Sequence, residues 1–345
     1  MAQPADVATP GRERDPLAVS PRRALLAPDS FKGTLSAAEV VRALAAGLEP
    51  LGWELDRCPL ADGGEGTADA LAARIGGRSG EADVHDPLGR PLRTAFTLLD
   101  GPPVAVVEVA AASGLPRLEP DERDPEATTT RGTGELILAA VAAGAEQVLV
   151  GAGGSATTDG GAGAVAAIRE GGGLGGVRLV CLCDVHTPWE RAPATFGPQK
   201  GADVAAVERL ERSLDRLAGE LPRDPRGVPM SGAAGGLAGG LWACFDAALV
   251  PGAAYVCDRV DLDRRLQAVD LAITGEGRLD ATTLEGKVVA EVGRRGALHG
   301  VEVHAVVGED ASGPALRADL GLAAVREAST AAQIAHAAAA PADHR

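Results

Sequence analysis

Lysine and arginine together number 33 in this 345-residue chain, and only three of them are lysine: Lys32, Lys200 and Lys287. Each stands beside a glycine, in FKG (31–33), QKG (199–201) and GK (286–287). A lysine ammonium is a compact charge on a flexible stem, and arginine's planar fork does not replace it at a crowded phosphate. A neighbouring glycine lets backbone N–H groups approach the same anion. Lysine kept at these positions, in a chain that writes arginine elsewhere, points to anion binding.

Acidic residues recur where apolar runs end. Asp29, Asp62, Glu65, Asp159, Glu276 and Asp280 all lie on glycine-rich loops of this kind, with Lys32 and Ser155 among them. One such acid is ordinary; six suggest a site for phosphate and a divalent metal. ADGGEGT (61–67) brings Asp62 and Glu65 onto one loop, and two close carboxylates can hold Mg²⁺ with water in the remaining positions. In GAGGSATTDGGAG (151–163) five small residues follow the run VLV and precede a helical stretch. The N–H groups around Gly153 and Gly154 there would form an anion nest, with Ser155, Thr157 and Asp159 as added ligands. The loop is neither GxGxxG nor GxxxxGK[ST], so dinucleotide and P-loop readings fail. TGEGRLD (274–280) carries Glu276, Arg278 and Asp280. Asp184 closes the buried run VRLVCLCDV, where a carboxylate serves either as a general base or as a hydrogen-bonded structural group.

The elements that must position these residues repeat one plan: a short apolar run, a Gly/Asp-rich turn, then an Ala-rich helical stretch. RALLAPDSFKGTLSAAEVVRALAAGL (23–48) shows all three, with Ser36 and Glu39 spaced as a capping box. The plan recurs at 56–77, 146–168 and 271–296, and VHAVVGED (303–310) begins it once more. Alternation of this kind predicts an α/β protein with parallel or mixed sheets. In such sheets ligands bind at the carboxyl ends of the strands.

Composition sets the outer limits. The length suits two domains. Hydrophobic residues make up 46% and aromatics 2%, so the core must be built from Ala, Val and Leu. A net charge of −15 argues against nucleic acid or an anionic membrane as partner. The longest apolar run, residues 136–145, is half the ~20 residues a membrane span needs. The five cysteines form no CxxC and no zinc-type cluster with histidine, which favours reduced thiols and a cytoplasmic location. Residues 1–20 lack an apolar signal core and read as a disordered tail. Monomer and homodimer both remain open.

APDSFKGTLSA, PLADGGEGT, DPLGRP, VEVAAASGL, GTGELI, GGSAT-DGGAG, CDV, FGPQKGA, AAGGLAGGL and DLAITGEGRLD-T-GK occur in this order between about residues 23 and 310. Together they resemble the glycerate kinase family in its bacterial, first-type form. The chain departs from the usual pattern at Arg131, where tyrosine is common, at Thr158, where asparagine is frequent, and in a shortened stretch before CDV. The resemblance implies transfer of phosphate from ATP to D-glycerate with Mg²⁺, on two α/β domains with the site in the cleft between them. It implies a Rossmann-like outer domain from 21–90 plus 262–345, and an inserted α/β domain from 91–261. Carried onto these motifs, it implies Asp62, Glu65 and Glu276 around the metal. Lys32, Lys287 and Arg278 would serve transfer, with Asp184 or Asp280 orienting the acceptor hydroxyl. Asp29, Ser30, Gly153, Gly154, Ser155, Thr157, Asp159, Lys200 and Thr274 would bind substrate or phosphate. A non-catalytic binder of phosphorylated metabolites would keep the anion loops but need none of these acids. A nicotinamide-dependent oxidoreductase lacks its GxGxxG.

Overall fold

The structure, a computed structural model, describes residues 22–340. The expected tail, residues 1–20, lies outside them. Eleven strands form two sheets among the described residues. They are β1 (Arg23–Leu26), β2 (Glu54–Arg57), β3 (Gly77–His85), β4 (Pro91–Leu99), β5 (Val104–Glu108) and β6 (Gln147–Gly151), then β7 (Arg178–Cys183), β8 (Ala248–Pro251), β9 (Leu271–Leu279), β10 (Glu302–Asp310) and β11 (Ala324–Glu327). The first sheet, ordered β11-β10-β9-β1-β2, is wholly parallel and draws on both ends of the described chain. The second, β3-β4-β5-β6-β7-β8, is antiparallel from β3 to β5 and parallel from β5 to β8.

The expected crossing near residue 90 falls inside a hairpin. Strand β3 pairs with β4 from Gly77↔Leu99 to His85↔Pro91. DPLGRP is the turn between them: Asp86 N–H donates to the Arg90 carbonyl at 2.9 Å, and Gly89 takes φ +79°. The chain thus enters the second sheet at Gly77.

The first helix, Ala37–Leu48, starts where Ser36 and Glu39 cap it reciprocally. Its apolar face packs with helix Ala331–Ala339 on one side of the five-stranded sheet. Helices Arg131–Ala142 and Ala162–Glu170 cover the far side of the six-stranded sheet. Between the sheets lies one shared apolar layer. It joins Leu25 of β1 and Ala272 of β9 to Val106 of β5, Leu149 of β6 and Leu182 of β7. Helices Thr67–Ile75 and Gly252–Arg259 fill the space between them. The core is built mainly of Ala, Val and Leu, with Trp189 its one fully buried tryptophan. All five cysteines are free thiols.

Candidate active site

The five-stranded sheet delivers its loops to one edge because all its strands run the same way. After β1 the chain turns tightly through Asp29–Thr34, closed by a Phe31↔Leu35 bridge. After β2 it passes through Asp62. Strand β9 carries Glu276 and Arg278, and Lys287 precedes helix Val288–His299. These residues line a cavity of about 410 Å³ with Ser30, Gly308 and Glu309. A second cavity, of about 530 Å³, lies across the 29–34 loop and shares Asp29, Ser30, Phe31, Lys32 and Thr34 with the first. A third, also about 530 Å³, surrounds Trp53 and His304 at the opposite, amino end of the same sheet.

In the first cavity lysines and carboxylates are paired. Lys32 Nζ donates to Asp62 Oδ2 at 3.3 Å, and Lys287 Nζ to Glu276 Oε2 at 3.5 Å. Asp62 is buried and also accepts the Gly64 N–H at 3.0 Å. Glu276 is buried and accepts the Thr283 hydroxyl at 2.7 Å. Burial, followed by the neighbouring Asp62, pushes the Asp29 carboxyl well above its usual range. Burial raises Glu276 as well, against the pull of Lys287. Asp62 above all, then Asp184 and Asp29, hold the Lys32 ammonium protonated beyond its ordinary range.

The six-stranded sheet brings its parallel edge to the same place. Register aligns Glu108, at the end of β5, with Gly151 of β6 and Leu182 of β7. Backbone meets backbone at this junction, which is why glycine stands there. A Cβ on Gly153 would sit 2.6 Å from Gly64 Cα, and one on Gly63 would sit 2.9 Å from the Leu182 carbonyl oxygen. Asp184 follows β7 directly. Burial, then the like charge of Asp62, pushes its carboxyl up to about 6, with Lys32 and Lys287 opposing. Asp184 therefore shares one electrostatic environment with both lysine–carboxylate pairs, though it belongs to the other sheet.

Several residues singled out by sequence make hydrogen bonds within the fold. Asp280 caps the turn Ala281–Glu285 through the Thr282 N–H at 2.9 Å and hydroxyl at 2.6 Å, and these bonds hold its carboxyl low. Asp159 accepts from Thr130 N–H and hydroxyl, Thr129 hydroxyl, and Gly161 and Gly163 N–H, at 2.8–3.4 Å. Ser155 and Thr157 share a 3.0 Å hydroxyl bond, and the Thr274 hydroxyl donates to the Ala27 carbonyl at 2.9 Å. Lys200 is buried and donates to the Thr157 carbonyl at 2.6 Å; burial pushes it down to about 7. None of these lines either cavity at the cleft. Gly154 does line the second cavity, together with exposed Glu65. Asp62 and Glu276 line the first cavity and Glu65 does not, and among the described residues no three His, Cys, Asp or Glu side chains form a ready metal cluster.

Two residues not singled out by sequence stand beside these groups. Thr283 orients Glu276, and the small residues before GK were its only trace. Glu108, raised by burial, accepts the Ala68 N–H at 2.9 Å and lines the second cavity. Its signal was a charge closing the apolar run VAVVE.

Two α/β layers meet at their carboxyl edges, with paired lysines and acids in the cleft, and the class is an α/β enzyme. Residues 24–170 and 172–344 match the glycerate kinase family profile. The chain belongs to the glycerate kinase family. It is 40% identical over 324 residues to a Bacillus subtilis glycerate kinase, covering 82% of this chain and 84% of that one. It is 37% identical over 311 residues to an Escherichia coli glycerate 2-kinase, covering 79% and 82%. A solved chain from Salmonella typhimurium LT2, described as a glycerate kinase 2, superposes with a TM-score of 0.78 at 34% identity. That match covers 93% of this chain and 97% of the other.

Proposed function

We propose that the protein transfers the γ-phosphoryl group of ATP to D-glycerate, with Mg²⁺, to give a phosphoglycerate. The observation that carries this reading is the meeting of two lysine–carboxylate pairs at the cleft, with the Asp184 carboxyl in the field of Asp62, Lys32 and Lys287. Phosphoryl transfer asks mainly for positioning and for neutralisation of charge on the phosphate oxygens. Lys32 and Lys287 would supply that charge on exchanging their carboxylate partners for phosphate, and Ser30 and Arg278 border the same space. Asp184 takes the proton of the attacking hydroxyl. The hydroxyl oxygen then bonds to the γ-phosphorus as the bond to the β–γ bridging oxygen breaks, and ADP leaves. We assign this role to Asp184 rather than Asp280, because a carboxylate held low by capping bonds is a weak base.

The donor set fits Mg²⁺, a hard cation commonly held by one or two carboxylates together with substrate phosphates. Asp62 and Glu276 would hold it, and crowding of Asp29 by Asp62 marks negative charge that a divalent ion relieves. When bound, the ion neutralises developing charge on phosphate oxygens. We further divide the chain into two domains, one from the five-stranded sheet (22–76 and 262–340) and one from the six-stranded sheet (77–261). No helix among the described residues is long and apolar enough to cross a membrane. Free thiols and an ATP substrate accord with action in the cytoplasm. The test is incubation with D-glycerate and Mg-ATP, followed by phosphorus NMR. A new phosphomonoester resonance is expected, and its coupling identifies the hydroxyl. ADP without any phosphorylated acid would overturn the reading.

A further inference from the structure

The second cavity has a chemistry that the phosphoryl-transfer reading does not use. Its volume, about 530 Å³, is in the range of small-molecule sites. Its walls are largely apolar, from Leu35, Ala38, Leu60, Ala70 and Ala73. Its charged groups are four acids, Asp29, Glu65, Asp69 and Glu108, and a single cation, Lys32, with Asp29 and Lys32 on the rim shared with the first cavity. Each helix that starts here already has an N–H group of its first turn taken by a side chain. Glu108 accepts from Ala68 at the start of Thr67–Ile75, and Ser36 and Glu39 cap Ala37–Leu48.

A phosphate chain or a glycerate carboxylate would face four acids and partly occupied helix ends in this space. One part of the two substrates is uncharged, has a flat apolar body and carries hydrogen-bond donors: the nucleoside. Its base suits the alanine and leucine walls, and its hydroxyls and amino group suit carboxylate acceptors. We propose that this cavity binds the nucleoside of the phosphoryl donor. The phosphate chain then passes over the 29–34 loop to Lys32 and Lys287 in the first cavity. The proposal rests on the kinase reading for the identity of the donor, and the position of the shared loop between the two cavities sets the direction.

Ala38 and Ala73 are exposed on their helices, so tryptophan at either position fills the cavity without entering a core. Binding of ADP and of inorganic tripolyphosphate is measured by calorimetry on wild type, Ala38→Trp and Ala73→Trp, with thermal melts to verify folding. ADP affinity should fall by about tenfold or more, tripolyphosphate affinity should hold within about twofold, and the KM for D-glycerate should be unchanged. Unchanged ADP affinity in both folded variants overturns the proposal, as does an equal loss for tripolyphosphate or a raised glycerate KM. If either tryptophan variant fails to fold, the smaller Ala73→Leu replaces it in the same comparison. Wild type that binds ADP but does not phosphorylate D-glycerate overturns the kinase reading alone, because the ADP arm still reads the cavity.

Discussion

The glycine-rich loops at the carboxyl end of the five-stranded sheet hold side chains that face one another across open space. The glycine-rich loop after β6, at the corresponding end of the six-stranded sheet, holds side chains bonded to its own backbone and to the start of the neighbouring helix Arg131–Ala142. Lys32 and Lys287 sit 3.3 and 3.5 Å from carboxylates, at distances that an incoming anion can contest. Lys200 sits 2.6 Å from a carbonyl and lines neither cavity at the cleft. Asp29 is buried and Asp184 half-buried, and desolvation with the charge of Asp62 raises both carboxyls, while Asp159 has five donors around it. The same residue types thus perform opposite tasks. A polar group whose bonds are completed within the fold stabilises it; one left incomplete is available to substrate.

The widest separation between the two kinds of acid should appear on removing their charge. Asp184→Asn is expected to lower kcat by about 10²–10⁴-fold, the usual worth of a general base. Asp280→Ala should keep kcat within about threefold and lose about 1 kcal/mol of stability as a lost cap. Comparable kcat losses in both variants would break the distinction. The free enzyme's kcat/KM should rise with pH through about 6 as Asp184 loses its proton, and that limb should vanish in Asp184→Asn. A raised acid costs stability above its folded value and recovers it as pH falls through about 6 toward its unfolded value near 4. The Asp184→Asn melting temperature at pH 7.5 should therefore equal or exceed that of wild type.

Next in size are the lysines. Lys32→Arg or Lys287→Arg should cost about 2 kcal/mol of transition-state stabilisation, roughly 30-fold in kcat/KM, because a fork does not reproduce a point charge in these tight loops. Near-wild-type turnover in both would remove the point-charge argument.

The alternation of apolar runs and turns was enough to read the α/β class, and the Ser36–Glu39 spacing gave a helix start that the structure reproduces. Strand β3 was harder to place. Its GRSGEADVH is polar along most of its length, since it lies at a sheet edge, and only its partner β4 assigns it to the second sheet. The reach of the site across both sheets followed the same rule. Asp184 was legible as an acid ending a buried run, but its role depended on Asp62, 122 positions earlier in the numbering. The bonds of Asp159 and Ser155 were not legible, because glycine-rich spacing describes a turn and is silent on where hydroxyls and carboxylates point. Glu108 was missed because one charge at a strand end is common, and its meaning comes from the helix start it caps.

Magnesium dependence should separate two acids of a single loop. Asp62 shares the first cavity with Glu276, whereas Glu65 lines the second. Asp62→Asn should raise the Mg²⁺ concentration for half-maximal activity by about tenfold, the scale on which a lost ligand weakens a site. Glu65→Gln should shift it by less than about twofold. Equal shifts would restore Glu65 to the metal site.

The smallest effect on turnover belongs to Asp159, which tests the other half of the comparison. Its carboxylate ties the start of helix Arg131–Ala142, through Thr130, to the start of helix Ala162–Glu170, through Gly161 and Gly163. Replacing it with alanine leaves several of those donors without partners inside the fold. The expected cost is about 2–3 kcal/mol of stability, the penalty for unmet polar groups beside a lost charged acceptor. The cavities of the five-stranded edge do not contain Asp159, so kcat per folded molecule and the KM for D-glycerate should stay at wild-type values. Denaturant unfolding and active-site titration measure the two quantities separately. A variant of normal stability with a raised glycerate KM would mean that Asp159 serves the acceptor after all, and the loop after β6 would then join the site.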